Sequence, residues 1–393
     1  MNGALNWSRP VSGMERAWLA ATSVHPPFVI HVVLGGTGEP DLAAWTEAME
    51  VAAAANPGAR AVVRGALCRL RWEAAGPCPV REFSAEGWDG NSSTGAAFFQ
   101  APLDPYTGPT TELLLLRGPQ ARLVLRVCHA TMDGSGVLAF LGELFRARNG
   151  QPLLGHPDRH TDLELAGPGP RTGVPGPDAV PPMGPPQGDT DRMLWTRLRV
   201  ENPQSPILGR ALVALGRHGR EHGDGLVRFD IPVDLRRAHP EVRSTGNLTG
   251  IGAIELGVQD TPQSIATRVR EAVAAGAHLG RVRGAGFLRH LPMSWIERGA
   301  RSAGAEHNSR TQFSTTAVVT NLGRIDLGEL RAADFQTEEL FVVPPGTPVT
   351  PLFFLLSGTG RGVDLVLSSP ERFCDQGRLE ALAAEVGAAL SAG

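Results

Sequence analysis

The chain has 393 residues, 42% apolar and 20% charged, which suits a folded protein with room for two ordinary domains. A formal net charge of -3, without a basic tail or a basic stripe interleaved with aromatics, gives no reason to expect nucleic acid as a ligand. No apolar run approaches the roughly 18 residues that span a bilayer, and the N-terminus lacks a basic flank before an apolar core, so no membrane span and a cytoplasmic location are expected. The four cysteines, Cys68, Cys78, Cys128 and Cys374, show no CxxC pairing; they fit a reducing compartment and argue against a disulfide scaffold or structural zinc. Lysine is absent, which excludes Schiff-base chemistry on that side chain.

Taken in chain order, "PPFVIHVVL" (Pro26 to Leu34) reads as a strand and the glycine-rich "GGTGEP" after it as a turn, since it has neither a P-loop lysine nor GxGxxG spacing. "PDLAAWTEAMEVAAAANPG" (Pro40 to Gly58) reads as a helix, with Leu42, Trp45 and Met49 at spacings of three and four. "ARAVVRG" and "LCRLRWEA" alternate as strands, and "TELLLLRGPQARLVLRVCHA" predicts a hairpin about "RGPQ" whose second strand delivers His129. "SGVLAFLGELFRARNG" follows as a helix burying Val137, Phe140, Leu141 and Leu144 and stopping near Gly150. From Asn149 to about Asp191, proline and glycine are dense enough to exclude regular structure, which suggests a crossover between two halves.

In the second half, helices are expected at "SPILGRALVALGRHGREHG", at "TPQSIATRVREAVAAG", around Ala285 to Ala300 and from about Cys374. Strands are expected at "GLVRFDIPVDLR", "GNLTGIGAIELGV", "FSTTAVVTNLG", "EELFVVPP", "PLFFLLSGTG" and "GVDLVLSS". The expected class is α/β (α+β): two lobes of mixed, partly antiparallel sheet packed with helices, residues 1–150 and 193–393, joined by the crossover at 151–192.

The chemistry concentrates at "LVLRVCHATMDGSG". A histidine at a strand end, followed through Asp133-Gly134 by a helix, is held by backbone on both sides, and near neutral pH it can accept a proton as a general base must. A satisfied core or surface histidine would leave the same trace, Asp133 can simply cap the following helix, and Gly134 can serve any tight turn. Competing signals are thinner. His218 and His222 stand four apart on a helix without an HExxH glutamate or a third ligand, and "DGSG" is not a nucleophile elbow. Arg281, Arg283, Arg289, Arg298, Arg301 and Arg310, against two glutamates, form either a solvated face or a site for a coenzyme phosphate or an acidic carrier protein.

"CHATMDG" resembles the HxxxDG motif of the acyltransferase superfamily that includes chloramphenicol acetyltransferases, plant BAHD acyltransferases, polyketide-associated acyltransferases and the condensation domains of nonribosomal peptide synthetases. The likeness extends upstream through "APLDPYTGPTTELLLL" and downstream to "IPVDLRRAHPEVRSTGNLTG", "VVTNLGRID" and "PLFFLLSGTGRGVDLVLSSPERF", so it touches both halves. It implies two related lobes with a channel between them and His129 at its centre. His129 would take a proton from an alcohol or amine acceptor attacking an acyl thioester of coenzyme A or of a carrier-protein phosphopantetheine arm, with no permanently bound cofactor. Asp133 would face away from substrate and pair with Arg236, and Gly134 would keep the loop clear. Cys128, Ser314, Thr316 and Asn321 are candidate substrate contacts, the last three as oxyanion donors beside the backbone N–H groups after His129; such hydroxyls also commonly satisfy strand or turn backbone.

Two departures from the pattern shape the expectation. Cys128 stands where peptide-forming condensation domains usually carry a second histidine, and the Asp-Phe-Gly-Trp-Gly element of the plant branch is absent, "TNLGRIDLG" being closer to a bacterial style of the fold. The reading is therefore a stand-alone acyltransferase of natural-product metabolism, with no room for an adenylation or carrier domain beside two lobes. The alternatives are the same base used for a cyclisation, elimination or rearrangement, or a docking protein without catalysis.

Overall fold

The computed structural model of this chain describes residues 7–25, 27–185, 187–188, 190–310, 313–347 and 349–392, with backbone alone for 307–310. Strand β1 (Ser8–Pro10) leads into helix α1 (Gly13–Val24), which has no counterpart among the expected elements although Ser12 and Glu15 form a reciprocal capping box at its start. Strand β2 (Val29–Thr37) runs on through the segment expected to turn. Gly35 and Gly36 stay in the strand because Glu339 Oε1 and the Gln336 carbonyl lie 2.4 and 2.1 Å from where their Cβ atoms would sit. The chain turns at Gly38 instead, at φ +115°.

Helix α2 (Leu42–Ala55) is capped by Asp41 and buries Trp45 and Met49, while Leu42, expected on the same face, lies in the first turn and is exposed. Strands β3 (Ala61–Arg64) and β4 (Arg71–Ala74) are followed by β5 (Val80–Ser84) and by the expected hairpin of β6 (Thr111–Arg117) and β7 (Ala121–Cys128). Helix α3 (Gly134–Arg148) buries Val137, Phe140, Leu141 and Leu144 and ends before Gly150, whose φ is +64°. Among the described residues, the proline-rich crossover holds only the one-turn α4 (Asp162–Ala166) and isolated bridges such as Ala179 with Phe313.

The second half continues with β8 (Met193–Val200), α5 (Ile207–Glu221), β9 (Val227–Asp234), β10 (Thr249–Leu256) and α6 (Pro262–Ala274). The helix expected around Ala285 to Ala300 is two, α7 (Leu279–Ala285) and α8 (Met293–Arg310), separated by a 3-10 turn. Strands β11 (Ala317–Arg324), β12 (Arg331–Ala332), β13 (Phe335–Val343), β14 (Phe353–Thr359) and β15 (Gly362–Pro370) precede the closing helix α9 (Gln376–Ser391).

The strands form a small sheet in the order β1-β4-β3 and two six-stranded sheets, β12-β13-β2-β7-β6-β5 and β10-β9-β11-β14-β15-β8. Both large sheets are mixed: β5 lies parallel to β6, and β11 lies parallel to β9 and β14. One segment crosses the expected division. Arg331–Val343 comes from the second half in sequence, yet β13 pairs with β2 from Gln336 opposite Thr37 to Val343 opposite His31.

The hydrophobic clusters follow this exchange. Alternate residues of β2, β6 and β7 pack on α2 and α3 together with Phe335, Leu340, Val342 and Leu355. Their other face supplies Val33, Leu114 and Val124 to a seam with Trp88, Phe99, Trp195, Phe341 and Val366 between the two large sheets. A buried aromatic of this kind removes on the order of 200 Å² from water, worth about 5 kcal/mol of gross transfer free energy. Arg197 of β8 closes the seam at one edge, bonding Glu339 at 2.9 Å and the fully buried Asp364 at 2.7 Å, with Arg199 2.9 Å from Asp364.

Candidate active site

His129 follows the last residue of β7, and four separate contacts hold it. Its N–H donates to the Phe28 carbonyl (3.0 Å), and its own carbonyl accepts from Asn247 Nδ2 (2.7 Å). Its Nδ1 lies 3.0 Å from the Met132 carbonyl. A carbonyl only accepts, so Nδ1 carries the proton and the lone pair sits on Nε2. The fourth contact is aromatic: the ring centroid lies 5.0 Å from Phe28 and 5.7 Å from Trp18, with interplanar angles of 29° and 14°. Burial lowers the imidazole pKa below its ordinary value, against the opposing effects of the Met132 bond and the Asp133 charge, so the ring is neutral at physiological pH.

Asp133 does not reach the ring. Its Oδ1 accepts from Gly136 N (2.8 Å), capping α3, and its Oδ2 accepts from Leu248 N (2.7 Å) and Thr249 Oγ1 (3.0 Å). Arg236 Nη1 bonds both oxygens, at 3.2 and 3.0 Å. Helix cap and salt bridge therefore coexist, and with its lone pairs spent the carboxylate has no capacity to act as a base. Arg236 is itself fixed by Asp234 Oδ1 (2.8 Å), by the Ser244 carbonyl (2.9 Å) and by the Gly246 carbonyl. Burial opposes its charge, but Asp133 and Asp234 more than offset that and raise its pKa.

The two glycines of this turn meet different surroundings. A Cβ at Gly134 would meet only Leu322 Cδ2, at 3.0 Å, whereas one at Gly136 would fall 2.1 Å from the Thr245 carbonyl. Gly136 is thus the residue that lets the N-terminus of α3 close against the 244–249 segment. Only the tertiary approach of Thr245 shows this role of Gly136.

The other candidate contacts separate. Cys128 is fully buried among Trp7, Leu19, Val29 and Trp72, and burial pushes its thiol up to about 11, so it packs as a small apolar residue. Thr316 is buried, and its Oγ1 accepts from Arg228 N (3.2 Å), which spends it on strand backbone. Asn321 is exposed with Oδ1 closing a turn onto Gly323 N (2.9 Å), and Ser314 is half-buried beside the Arg228 guanidinium, which bonds its carbonyl (3.3 Å). The backbone N–H groups of Thr131 and Val137 are committed to the carbonyls of Cys128 and Asp133.

The weaker signals disperse as well. His218 Nδ1 faces Glu385 (2.8 Å), and His222 Nδ1 takes the His218 carbonyl (2.9 Å). Arg281 is buried on Asp230 (2.6 and 2.7 Å), and Arg283 donates to the Ala166 and Gly167 carbonyls. Arg289, Arg298 and Arg301 are exposed, and the Arg310 side chain lies outside the described residues. No helix among the described residues is long and apolar enough to cross a membrane.

A hollow of about 860 Å³ opens beside Thr37, Gly38, Asp41, Glu82, Arg117 and Gln120. It lies at the opposite end of β7 from His129, on the order of 25 Å away by strand rise. Its lining holds no imidazole.

No family model matches the sequence, and neither does any curated protein. Solved structures do match. A starter condensation domain of rhizomide synthetase RzmA, in complex with C8-CoA and Leu-SNAC, superposes with TM-score 0.62 at 13% identity over 97% of this chain and 93% of that one. This chain has the condensation-domain fold. The F. graminearum acetyltransferase TRI101, complexed with coenzyme A and deoxynivalenol, shares that fold with TM-score 0.62 at 13% identity, over 95% of this chain and 97% of its own. So does the epimerization domain from the third module of tyrocidine synthetase B, with TM-score 0.61 at 14% identity over 98% and 95%. The condensation-domain fold, which is also that of chloramphenicol acetyltransferase, accounts for the paired mixed sheets and the course of nearly the whole chain.

Proposed function

We propose that the chain is an acyltransferase that moves an acyl group from a coenzyme A or carrier-protein thioester to the hydroxyl or amine of a small acceptor in natural-product metabolism, with His129 as general base. The observation that carries this reading is the commitment of His129 Nδ1 to the Met132 carbonyl, which leaves a neutral, oriented Nε2 as the one basic atom of the motif. In the channel expected between the halves, Nε2 removes the acceptor proton as the oxygen or nitrogen attacks the thioester carbonyl. The tetrahedral intermediate then collapses, the C–S bond breaks, and the imidazolium returns the proton to the departing thiolate. Asp133 and Arg236 brace the loop and take no proton. Ser314 and Asn321 remain proposed substrate contacts; Cys128 and Thr316 do not, their polar atoms being buried or spent. The ligands named for the structural neighbours, coenzyme A with deoxynivalenol and C8-CoA, support a thioester co-substrate here.

The test is product and intact-mass analysis with a panel of acyl-coenzyme A and acyl-carrier donors and mixed alcohol and amine acceptors. An acylated acceptor is expected with the native chain, and His129→Ala is expected to lose about 10²- to 10⁴-fold in rate. Unchanged turnover in a folded His129→Ala would sink the reading. A second reading, in which the same base rearranges or epimerises one substrate, is favoured by the epimerization domain among the neighbours. It predicts conversion of a single compound into its isomer with no thioester consumed.

A further inference from the structure

We propose that Trp18 is a positioning residue for His129, its indole closing one face of the imidazole so that Nε2 is held in a single direction. This rests on His129 being the base, and it goes beyond the motif, because Trp18 lies more than a hundred positions away in a helix that the motif does not include.

Three rings meet at the site. Trp18 and Phe28 stand 5.9 Å apart with planes at 23°, and the imidazole lies near both, so all three planes agree within 29°. Offset stacking of this kind restricts tilt of the ring, which the Nδ1 bond to Met132 does not. Phe28 is buried and belongs to the segment whose carbonyl already anchors His129 N, so its place follows from the strand ladder. Trp18 is half-buried and arrives on α1 from outside the sheet, so its place is set by that helix and not by the strand ladder.

Helix α1 is built to hold that indole still. The Arg16 guanidinium, fully buried, donates to the carbonyls of Leu67 (3.2 Å), Cys68 (2.9 Å) and Leu291 (3.0 Å), tying the helix to both halves of the chain. Glu15 accepts from Ser12 N (2.8 Å) and pairs with Arg9. A Cβ on Gly13 would fall 2.1 Å from the Ala285 carbonyl, so the helix start has no slack against α7. Met293, at the start of α8, packs against the same apolar cluster as Trp18.

The charges around the ring leave Trp18 a clear effect. From the loop after β7, Asp133 acts on the imidazole but is paired with Arg236, and Cys128 is held as a neutral thiol. From α1, Glu15 and Arg16 are turned to Arg9 and to carbonyls, and the 244–249 segment presents the uncharged Asn247. Desolvation dominates the depressed basicity of His129, and Trp18 stacks on the ring at 5.7 Å.

The experiment follows the His129 imidazole of the full ¹⁵N-labelled chain by long-range proton–nitrogen correlation across pH, with His129→Asn assigning the signals. The native chain is expected to show the Nδ1–H tautomer and a midpoint below the ordinary imidazole value. Trp18→Ala, or Trp18→Leu should alanine prevent folding, is expected to raise the midpoint toward that value and mix the tautomers, while Trp18→Phe restores native behaviour. A folded Ala or Leu variant with native tautomer and midpoint overturns the proposal, and so does a Phe variant that behaves like the Leu one. No substrate is needed, so the result stands apart from the acyl-transfer assay: absent turnover with a displaced titration faults the reaction assigned, and turnover with an unmoved titration faults the role of Trp18. Once a donor is known, Trp18→Leu should lower kcat more than it raises KM and shift the acidic limb of the rate profile upward.

Discussion

Two buried ion clusters, one joining the halves of the chain and one joining the two large sheets, are built in opposite ways. At Asp133, one guanidinium, Arg236, is shared with Asp234, and the Asp133 oxygens also accept from Gly136 N of its own helix and from Leu248 N and Thr249 Oγ1 of the other half. At Asp364, two arginines face two carboxylates, Asp364 and Glu339, across neighbouring strands of both sheets. Burial alone would raise the Glu339 pKa, but Arg197, helped by Arg199 and Arg122, more than offsets it and holds the carboxyl below its usual range. The first cluster is a hydrogen-bonded keystone four residues along the chain from His129; the second is a charge lattice that stabilises sheet packing and touches none of the candidate site residues. The same pairing chemistry thus serves precision in one place and cohesion in the other.

The comparison breaks most sharply at Asp133. Asp133→Ala leaves Arg236 with Asp234 alone, uncaps α3 and orphans the Leu248 N–H, and should cost about 3–5 kcal/mol in denaturant unfolding as well as the His129 tautomer preference. Arg197→Met leaves Asp364 with Arg199 alone and should cost about 3 kcal/mol, yet leave the His129 titration native; a displaced imidazole signal would show that the lattice also reaches the site. Gly136→Ala sets a methyl against the Thr245 carbonyl and should destabilise by about 2 kcal/mol or more, while Gly134→Ala, facing only the end of Leu322, should cost less than 1 kcal/mol.

The smallest effect is set by pH. His31 is buried beside Arg126 with neither ring nitrogen bonded, and burial drives its pKa well below the usual imidazole range. The unfolded chain takes up a proton near pH 6.5 and the native chain does not, so stability is full above that pH and falls as pH drops through it, by about 1.4 kcal/mol per unit until the native ring titrates. His31→Leu should flatten that slope, measured as unfolding midpoints between pH 7 and 5. An unchanged slope would place the acid sensitivity on the other depressed imidazoles, His25, His129, His156 and His278.

Local physics made part of this legible in the sequence. The hairpin of β6 and β7 and the buried face of α3 follow from alternation and from spacings of three and four, which are properties of neighbouring residues. Helix α1 had a local signal too, Ser12 three residues before Glu15, but its apolar content is modest and its role emerges only where Trp18 meets His129. Strand β8 alternates weakly beside a proline-rich stretch, and the glycines of β2 read as a turn because the strand that crowds them lies some three hundred residues away. The pairing of Asp133 with Arg236 came from resemblance rather than from spacing, and Thr316 misled because a hydroxyl on a strand looks alike whether it faces a ligand or the backbone of Arg228.

The exchange of β13 into the first sheet also bears on how the chain comes into being. A ribosome releases the β2 and β7 strands some two hundred residues before the strand that covers the open edge of β2, an interval on the order of 10–40 s at ordinary elongation rates. Until then Val32 and Leu34 lack the Leu340 and Val342 that complete their core, and β2 offers a bare edge to any other chain. The open edge of β2 is therefore exposed to premature pairing for a time set by the distance in sequence between residues 128 and 336.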